Sequence, residues 1–296
     1  MKAERDTPKK LDTYNPSKKK AKSNNRAWWK TVLLVILMLI WVGASVIVSQ
    51  LVVGHIMLAI LGSEIFNQSV VLAIYSTLSY VVAMLLIILV PIYAKKHRKK
   101  LLIKNEAKTN VAKKAKTKDE QEASSALSER ESLGLRGLPT WTDIGLAPVG
   151  FIVYLALAAG LVGLFSMFPW FNADEAQTTV FNAYSAGINR VIAFIVLVVV
   201  APIAEEIIFR GWLYGKMRKV LLGSCPDIVS MIISILLVST LFGIVHLQWN
   251  VGVNVFAMSI ILCGLREITG TIYSGIILHM LKNAIAFYMI FIMGMS

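Results

Sequence analysis

The sequence predicts an all-α polytopic membrane protein, and three observations predict this class. Apolar residues of the AVILMFWYC set make up 56% of the 296 residues, and charged residues make up only 16%. An ordinary globular domain has roughly 25% charged residues. The mean hydropathy is +0.67. The charges are also clustered, and they leave apolar stretches long enough to cross the hydrocarbon core, which takes about 20 helical residues.

Two segments hold most of the basic residues. Residues 1–27 carry nine Lys/Arg and three Asp/Glu, and residues 95–145 carry thirteen and seven. Because Lys and Arg concentrate in cytoplasmic connections, we predict a basic, flexible cytoplasmic tail at 1–27 and a charged cytoplasmic loop at 95–145. The net charge of +13 flanks apolar spans, so membrane lipids are the predicted partners and nucleic acid is excluded.

Apolar stretches predict seven transmembrane helices, although the last two are short or interrupted enough to leave seven or eight. With the N-terminus cytoplasmic, residues 28–94 form a two-span membrane anchor and residues 146–296 form the main bundle. The predicted spans are about 29–54, 68–94, 147–168, 188 to the basic cluster at 216–219, 229–247, 251–265 and 271–294.

The fourth span contains ionisable residues within an apolar run. Glu205, Glu206 and Arg210 fall within six positions, and each charged residue inside a membrane costs a few kcal/mol on insertion scales. Glu206 and Arg210 are four apart and share a helix face, whereas Glu205 points elsewhere. Either Glu206 is held by Arg210 while Glu205 faces another helix, or the reverse.

The fifth and seventh spans add further polar side chains. Phe242 and His246 are four residues apart, as are His279 and Asn283, and Lys282 adjoins Asn283. Carboxylates, imidazoles, an amide and a guanidinium on three helices are the groups that a hydrolytic site needs. The alternative is a structural polar cluster, in which carboxylate and guanidinium pair and the imidazoles bond to backbone.

The rise of 1.5 Å per residue gives approximate depths. Glu205 lies about 16 Å from Lys216, and His279 lies about 20 Å from Arg266, so the two residues can meet in the cytoplasmic half of the membrane. His246 would lie about 28 Å from Asp227, which fits less well. We therefore predict that residues 222–231 lie along the interface and that the fifth span starts near Ile232.

The three polar sets also form a recognisable signature. Residues 205–210 read EExxxR, 242–246 read FxxxH and 279–283 read HxxxN, and the first motif continues as FRGWLY over 209–214. In this order they resemble the CAAX-processing and bacteriocin-processing (CPBP, or Abi) intramembrane proteases, which include type II CAAX prenyl endopeptidases. The resemblance covers about residues 190–290 and implies a CAAX-protease-like core bundle.

The resemblance also implies roles for the motif residues. One Glu of the first motif, Glu205, would activate the attacking water together with His246. Arg210 would hold Glu206 and the geometry of the helix.

In the same family pattern, His279 and Asn283 would stabilise the oxyanion. A zinc ion held by His246, His279 and Glu205 is the alternative to a metal-free glutamate mechanism. The chain has no HExxH motif, so we predict no metal and no cofactor.

The implied function is an endopeptidase acting on membrane-associated or lipidated peptides or proteins, in the plasma membrane of a bacterium. Two alternatives remain: a non-proteolytic scaffold or bacteriocin-immunity protein that keeps the fold, and a proton-coupled transporter that uses the same polar groups as a relay. Further residues predicted to line a substrate groove are Phe209, Trp212, Phe242 and Lys282.

Overall fold

The computed structural model describes residues 28–63, 68–94, 97, 130–175 and 187–294. The predicted flexible tail at 1–27 and most of the loop at 95–145 lie outside these residues. Within the described ranges the chain forms helices and turns and no strand. The all-α prediction is therefore confirmed for the part of the chain that the structure describes.

Among the described residues, seven helices are long and apolar enough to cross a membrane. The predicted seven spans are confirmed, and the seven helices indicate an integral membrane protein. In chain order the helices are α1 (Trp28–Leu61), α2 (Ser69–Ala94), α3 (Trp141–Phe165), α4 (Ile188–Leu221), α5 (Asp227–Ile244), α6 (Trp249–Thr269) and α7 (Tyr273–Ile292).

Helix α3 starts earlier than the sequence predicted. Thr140 forms a capping box with Asp143, in which each side chain accepts a hydrogen bond from the other's backbone N–H. This pairing satisfies two N–H groups that the start of a helix leaves without partners. The last five residues assigned to the loop at 95–145 therefore belong to the helix.

Helix α4 is the longest helix of the main bundle and departs from α-helical geometry. Two stretches, Ile195–Val200 and Glu206–Tyr214, are π-helical. Pro202 lies between them and has no N–H to donate. Such π-helical turns are rare and occur often at functional sites, and here the second one begins at one of the two adjacent glutamates.

The other helices pack around α4. Helix α2 contacts α4 mainly in its first half, up to Glu205, and also within Glu206–Tyr214, and α1 and α5 contact the second half. Helix α7 also contacts the first half, while α3 packs against α6 and α7. Helices α5 and α6 cross closely, since a Cβ built on Gly243 would lie 2.9 Å from the carbonyl oxygen of Gly252.

One end of the bundle is held by charged side chains. Arg218 donates to Glu267 at 3.0 Å and to Asp227 at 2.5 Å, and the Tyr214 hydroxyl donates to Glu267 at 2.6 Å. These contacts join the end of α4 to the start of α5 and the end of α6. We call this the Arg218 end of the bundle.

The length of α4 explains why the depth estimated for His246 differed from the depth estimated for Glu205. Helix α4 continues past the basic cluster to Leu221, so Glu205 lies about 24 Å from the end of its helix. His246 lies about 28 Å from Asp227, where α5 begins. The prediction that the fifth span starts near Ile232 is wrong, because α5 is a continuous helix from Asp227 and no interfacial segment is needed to bring the depths together.

Candidate active site

A fully buried ion pair lies at the start of the second π-helical stretch. Arg210 Nη1 donates to Glu206 Oε1 at 2.9 Å, and both side chains are 0% exposed. Of the two arrangements considered from the sequence, the structure contains the one in which Glu206 is held by Arg210. Glu205 is thereby left free to face other helices.

His279 on α7 contacts both glutamates. Its Nδ1 lies 3.0 Å from Glu206 Oε1, and its Nε2 lies 3.7 Å from Glu205 Oε2. Glu206 therefore determines which ring nitrogen faces Glu205. Because one Glu206 oxygen contacts both the guanidinium and the imidazole, the orientation of His279 is tied to the buried pair.

Glu205 is more open to its surroundings than Glu206. Its side chain is 16% exposed, and Oε1 accepts a hydrogen bond from the Tyr80 hydroxyl at 2.6 Å. Its other oxygen faces His279. The two neighbouring carboxylates therefore lie in different environments. Glu206 is fully buried against the Arg210 guanidinium, and Glu205 is partly exposed.

Phe242 packs in the middle of the polar cluster. The Arg210 guanidinium carbon lies 4.3 Å from its ring centroid, and the Phe209 ring lies 4.9 Å away. Its ring centroid is also 6.0 Å from that of His279. Phe209 and Phe242 are both buried, and their place in a substrate groove stays a prediction. A cation–π contact and aromatic packing hold them in the core.

His246 follows α5 in the short turn to α6. Its Nδ1 lies 2.7 Å from the Phe242 carbonyl oxygen, which leaves Nε2 free of that contact. Burial lowers the pKa of the His246 imidazole, and the negative charge of Glu205 opposes this effect. His246 is therefore within electrostatic reach of Glu205.

Asn283 connects α7 to the first π-helical stretch of α4. Its Nδ2 donates to the Leu197 carbonyl oxygen at 2.8 Å. A carboxamide nitrogen carries two hydrogens, so this bond orients Asn283 and leaves a second N–H. Asn283 lies one helical turn after His279 on the same face of α7.

Lys282 lines a cavity of about 410 Å³ between α3, α6 and α7. Its ammonium is also within electrostatic reach of Glu205. The residues that share the cavity wall include Tyr154 and Asn254, whose side chains are joined by a hydrogen bond of 2.7 Å. Lys282 thus lies between this cavity and the carboxylate of Glu205.

Trp212 lines a separate apolar groove of about 590 Å³. This groove lies between α1, α2 and α4, closer to the Arg218 end than Glu205 is. Its apolar wall includes Leu37, Trp41 and Ile88, and Lys216 and Lys219 also line it. Trp212 and Lys282 were both predicted to line a substrate groove. Trp212 lines this apolar groove and Lys282 lines the cavity between α3, α6 and α7, so the two residues lie in different places.

The described residues contain no group of three His, Cys, Asp or Glu side chains arranged to hold a metal ion. The donors considered for zinc, on Glu205, His246 and His279, are chemically suitable. They do not form a three-donor cluster in this geometry.

Sequence reasoning missed three residues around the site. Tyr80 lies on α2, outside the predicted bundle. Gly275 allows α7 to approach Glu206, since a Cβ on it would lie 2.9 Å from Glu206 Oε2. Asp143 accepts hydrogen bonds from Thr271 at 2.6 Å and from Ser274 at 2.9 Å and so fixes the start of α7. The one local signal was the position of Gly275, four residues before His279 on the same helix face.

The site and the fold together define an α-helical membrane protein with two glutamates, two histidines and an asparagine gathered between helices. Residues 187–285 match the sequence model of the family described as type II CAAX prenyl endopeptidase Rce1-like. The resemblance predicted from the three motifs is confirmed by this match, which spans all of them. Comparisons with curated proteins and with solved structures gave no match.

Proposed function

We propose that the protein is an intramembrane endopeptidase that hydrolyses peptide bonds of membrane-associated or lipidated peptides or proteins. The observation that carries the proposal is the different environment of the two adjacent glutamates. Glu206 is sealed against Arg210, whereas Glu205 is partly exposed and faces His279 across 3.7 Å. A hydrolytic enzyme needs one such free carboxylate to accept a proton from water.

Glu205 is the proposed general base. Polar groups more than 3.5 Å apart are commonly bridged by water, and a water molecule between Glu205 Oε2 and His279 Nε2 would lie within reach of the carboxylate. Glu205 accepts one proton from this water as its oxygen forms a bond to the peptide carbonyl carbon. His246, which is half-buried and within electrostatic reach of Glu205, is the proposed second group that orients the water.

His279 and Asn283 are the proposed donors to the oxyanion. His279 Nδ1 is held against Glu206 Oε1, which turns Nε2 toward the site, where an Nε2–H would face the developing negative charge. Asn283 has one N–H on Leu197 and a second N–H for the same oxygen. Donors that are fixed before the reaction stabilise an oxyanion without a cost of reorganisation.

Breakdown of the tetrahedral intermediate completes the reaction. The bond between carbon and nitrogen breaks as Glu205 returns its proton to the leaving amine. One product then has a new carboxyl group and the other a new amino group. Glu205 is ionised again at the end of the cycle, and no oxidant, reductant or cofactor is consumed.

The apolar surroundings support a substrate that is itself associated with the membrane. Helices α1 and α2 form one wall of the apolar groove that includes Trp212. Such a groove suits the apolar part of a lipidated or membrane-anchored peptide, and membrane lipids are the other proposed partners.

The proposed location is the plasma membrane of a bacterium, with the N-terminus in the cytoplasm. Basic residues gather at the Arg218 end, where Lys219 is within electrostatic reach of Arg136, Lys216 and Arg266. Because positive charge is enriched on the cytoplasmic side of membrane proteins, this end would face the cytoplasm.

The test is cleavage of a membrane-anchored peptide library by purified full-length protein in detergent, with and without a chelator. We expect the wild type to cleave, and we expect Glu205→Gln to lose about 10²–10⁴-fold in rate, the usual contribution of a general base. His246→Ala should also lose activity. Asp174→Asn is the matched control, since Asp174 is an exposed carboxylate outside the site.

Undiminished cleavage by folded Glu205→Gln protein would overturn the proposed mechanism. Cleavage that is lost with chelator and restored by zinc would favour the metal alternative. A folded wild type that cleaves no peptide would instead favour the scaffold, immunity-protein or transporter alternatives.

A further inference from the structure

Helix α2 contributes a side chain to the candidate active site. The hydroxyl of Tyr80 donates a hydrogen bond of 2.6 Å to Glu205 Oε1, across 125 positions of sequence. Helix α2 lies outside residues 187–285, the segment that matches the family. The sequence predicted that residues 28–94 form an anchor, and an anchor alone gives no reason for this contact.

The hydrogen bond divides the two oxygens of the Glu205 carboxylate between two helices. Oε1 is held by Tyr80 from α2, and Oε2 faces His279 from α7 at 3.7 Å. O–H···O bonds to an ionised carboxylate are typically 2.5–2.7 Å long and about twice as strong as neutral ones. The contact at 2.6 Å has this length, so α2 fixes the plane of the carboxylate and leaves one oxygen free.

Contacts on both sides of Tyr80 fix the position of α2. On one side, Tyr75 packs against α1, where a Cβ on Gly54 would lie 3.4 Å from the Tyr75 ring. On the other side, Ala83 and Ile87 are buried in the same apolar core as residues of α4. Helices α1 and α2 therefore form a framework that holds the Tyr80 hydroxyl at the site.

We propose that Tyr80 is a positioning residue that holds the Glu205 carboxylate in the orientation of the base, so that the N-terminal helix pair completes the active site. This inference rests on the proposed endopeptidase function. Without the phenol, the carboxylate rotates more freely and Oε2 no longer keeps a fixed direction toward His279.

Several groups face Glu205. Tyr80 reaches it from α2, and His279 and Lys282 approach it from α7. His246 approaches from the turn after α5. The adjacent buried carboxylate on α4 is already paired with its own guanidinium. Removing only the Tyr80 hydroxyl leaves all of these other groups in place.

The experiment compares Tyr80→Phe with wild type by kcat and KM on a cleaved peptide. Removing the donor leaves the base poorly oriented, so the loss should appear in kcat and not in KM. We expect kcat to fall about tenfold at neutral pH with little change in KM. The matched control is Tyr93→Phe, because Tyr93 lies on the same helix and is 71% exposed.

Thermal unfolding supplies a readout that does not depend on turnover. Tyr80→Phe should lower the Tm in the wild-type background and leave it nearly unchanged in the Glu205→Ala background, where the phenol has lost its acceptor. This coupling would support the hydrogen bond even if no peptide is cleaved, in which case only the proposed function fails.

Two results would overturn the proposal. One is a Tyr80→Phe enzyme with the wild-type kcat. The other is an equal change of Tm in both backgrounds. Either result would mean that α1 and α2 serve as a membrane anchor and do not position Glu205.

Discussion

Gly275 and Glu206 approach each other so closely that a Cβ on the glycine would lie 2.9 Å from Glu206 Oε2. The approach is possible because glycine has no side chain. It brings α7 against α4 at the level where His279 contacts Glu206 at 3.0 Å. The position of His279 thus depends on the absence of a methyl group one helical turn away.

Gly275→Ala should therefore damage both stability and activity. Glu206 cannot move away easily, because its other oxygen is held by Arg210 and His279. Inserting one carbon into a packed core costs about 1–3 kcal/mol, and we expect a lower Tm and a loss of cleavage. Gly264→Ala is the matched control, since nothing lies within 4 Å of a Cβ there. Equal behaviour of the two variants would contradict this account.

The two adjacent glutamates should respond differently to the same substitution. Glu206→Gln leaves the fully buried Arg210 guanidinium without its counter-ion, and breaking a buried pair costs about 3–5 kcal/mol. Glu205→Gln removes a partly exposed carboxylate that forms no such pair. Thermal melts should show a large loss of Tm for Glu206→Gln and a small one for Glu205→Gln, although both lose cleavage. A larger Tm loss for Glu205→Gln would reverse the assignment.

The sequence predicted the seven spans and the polar residues of the motifs well. Long apolar stretches are visible by composition, and a charge such as Glu206 or Arg210 is conspicuous inside one. The pairing of these two followed from helical spacing, although spacing alone did not exclude the reverse assignment. The structure decided between them because only Glu206 lies against both Arg210 and His279.

Contacts between distant segments could not be read from spacing. Tyr80 is one polar residue among several on α2, and nothing in its neighbourhood indicates a contact 125 positions away.

The error over the start of α5 had a different cause. The basic cluster at 216–219 was taken as the end of the fourth helix, but α4 continues to Leu221, and the extra length accounts for the depth of His246.

Asn283→Asp should abolish cleavage while keeping the size of the side chain. An ionised Asp has no N–H to donate, so it loses both the hydrogen bond to Leu197 and the proposed donor to the oxyanion. Loss of one such donor typically lowers kcat about 10²–10³-fold. Single-turnover cleavage would measure this effect, and we expect KM to change little. A variant that retains the wild-type kcat would exclude Asn283 from the oxyanion site.

Asp143→Asn tests whether the start of α7 positions the site from a distance. One oxygen of Asp143 accepts hydrogen bonds from Thr271 and Ser274, and the other accepts from Thr140. An amide nitrogen in place of one oxygen would face donors instead of accepting from them, which costs about 1–3 kcal/mol for a buried group.

We therefore expect Asp143→Asn to lower the Tm, with a smaller loss of cleavage than any substitution in the site itself. The loss should appear in kcat, because a displaced α7 misplaces His279 while the substrate-binding surfaces remain. Asp174→Asn, the same chemical change at an exposed position, should leave Tm and kcat unchanged. If Asp143→Asn lowered the Tm without any effect on kcat, the network around Asp143 would stabilise the fold without orienting the site.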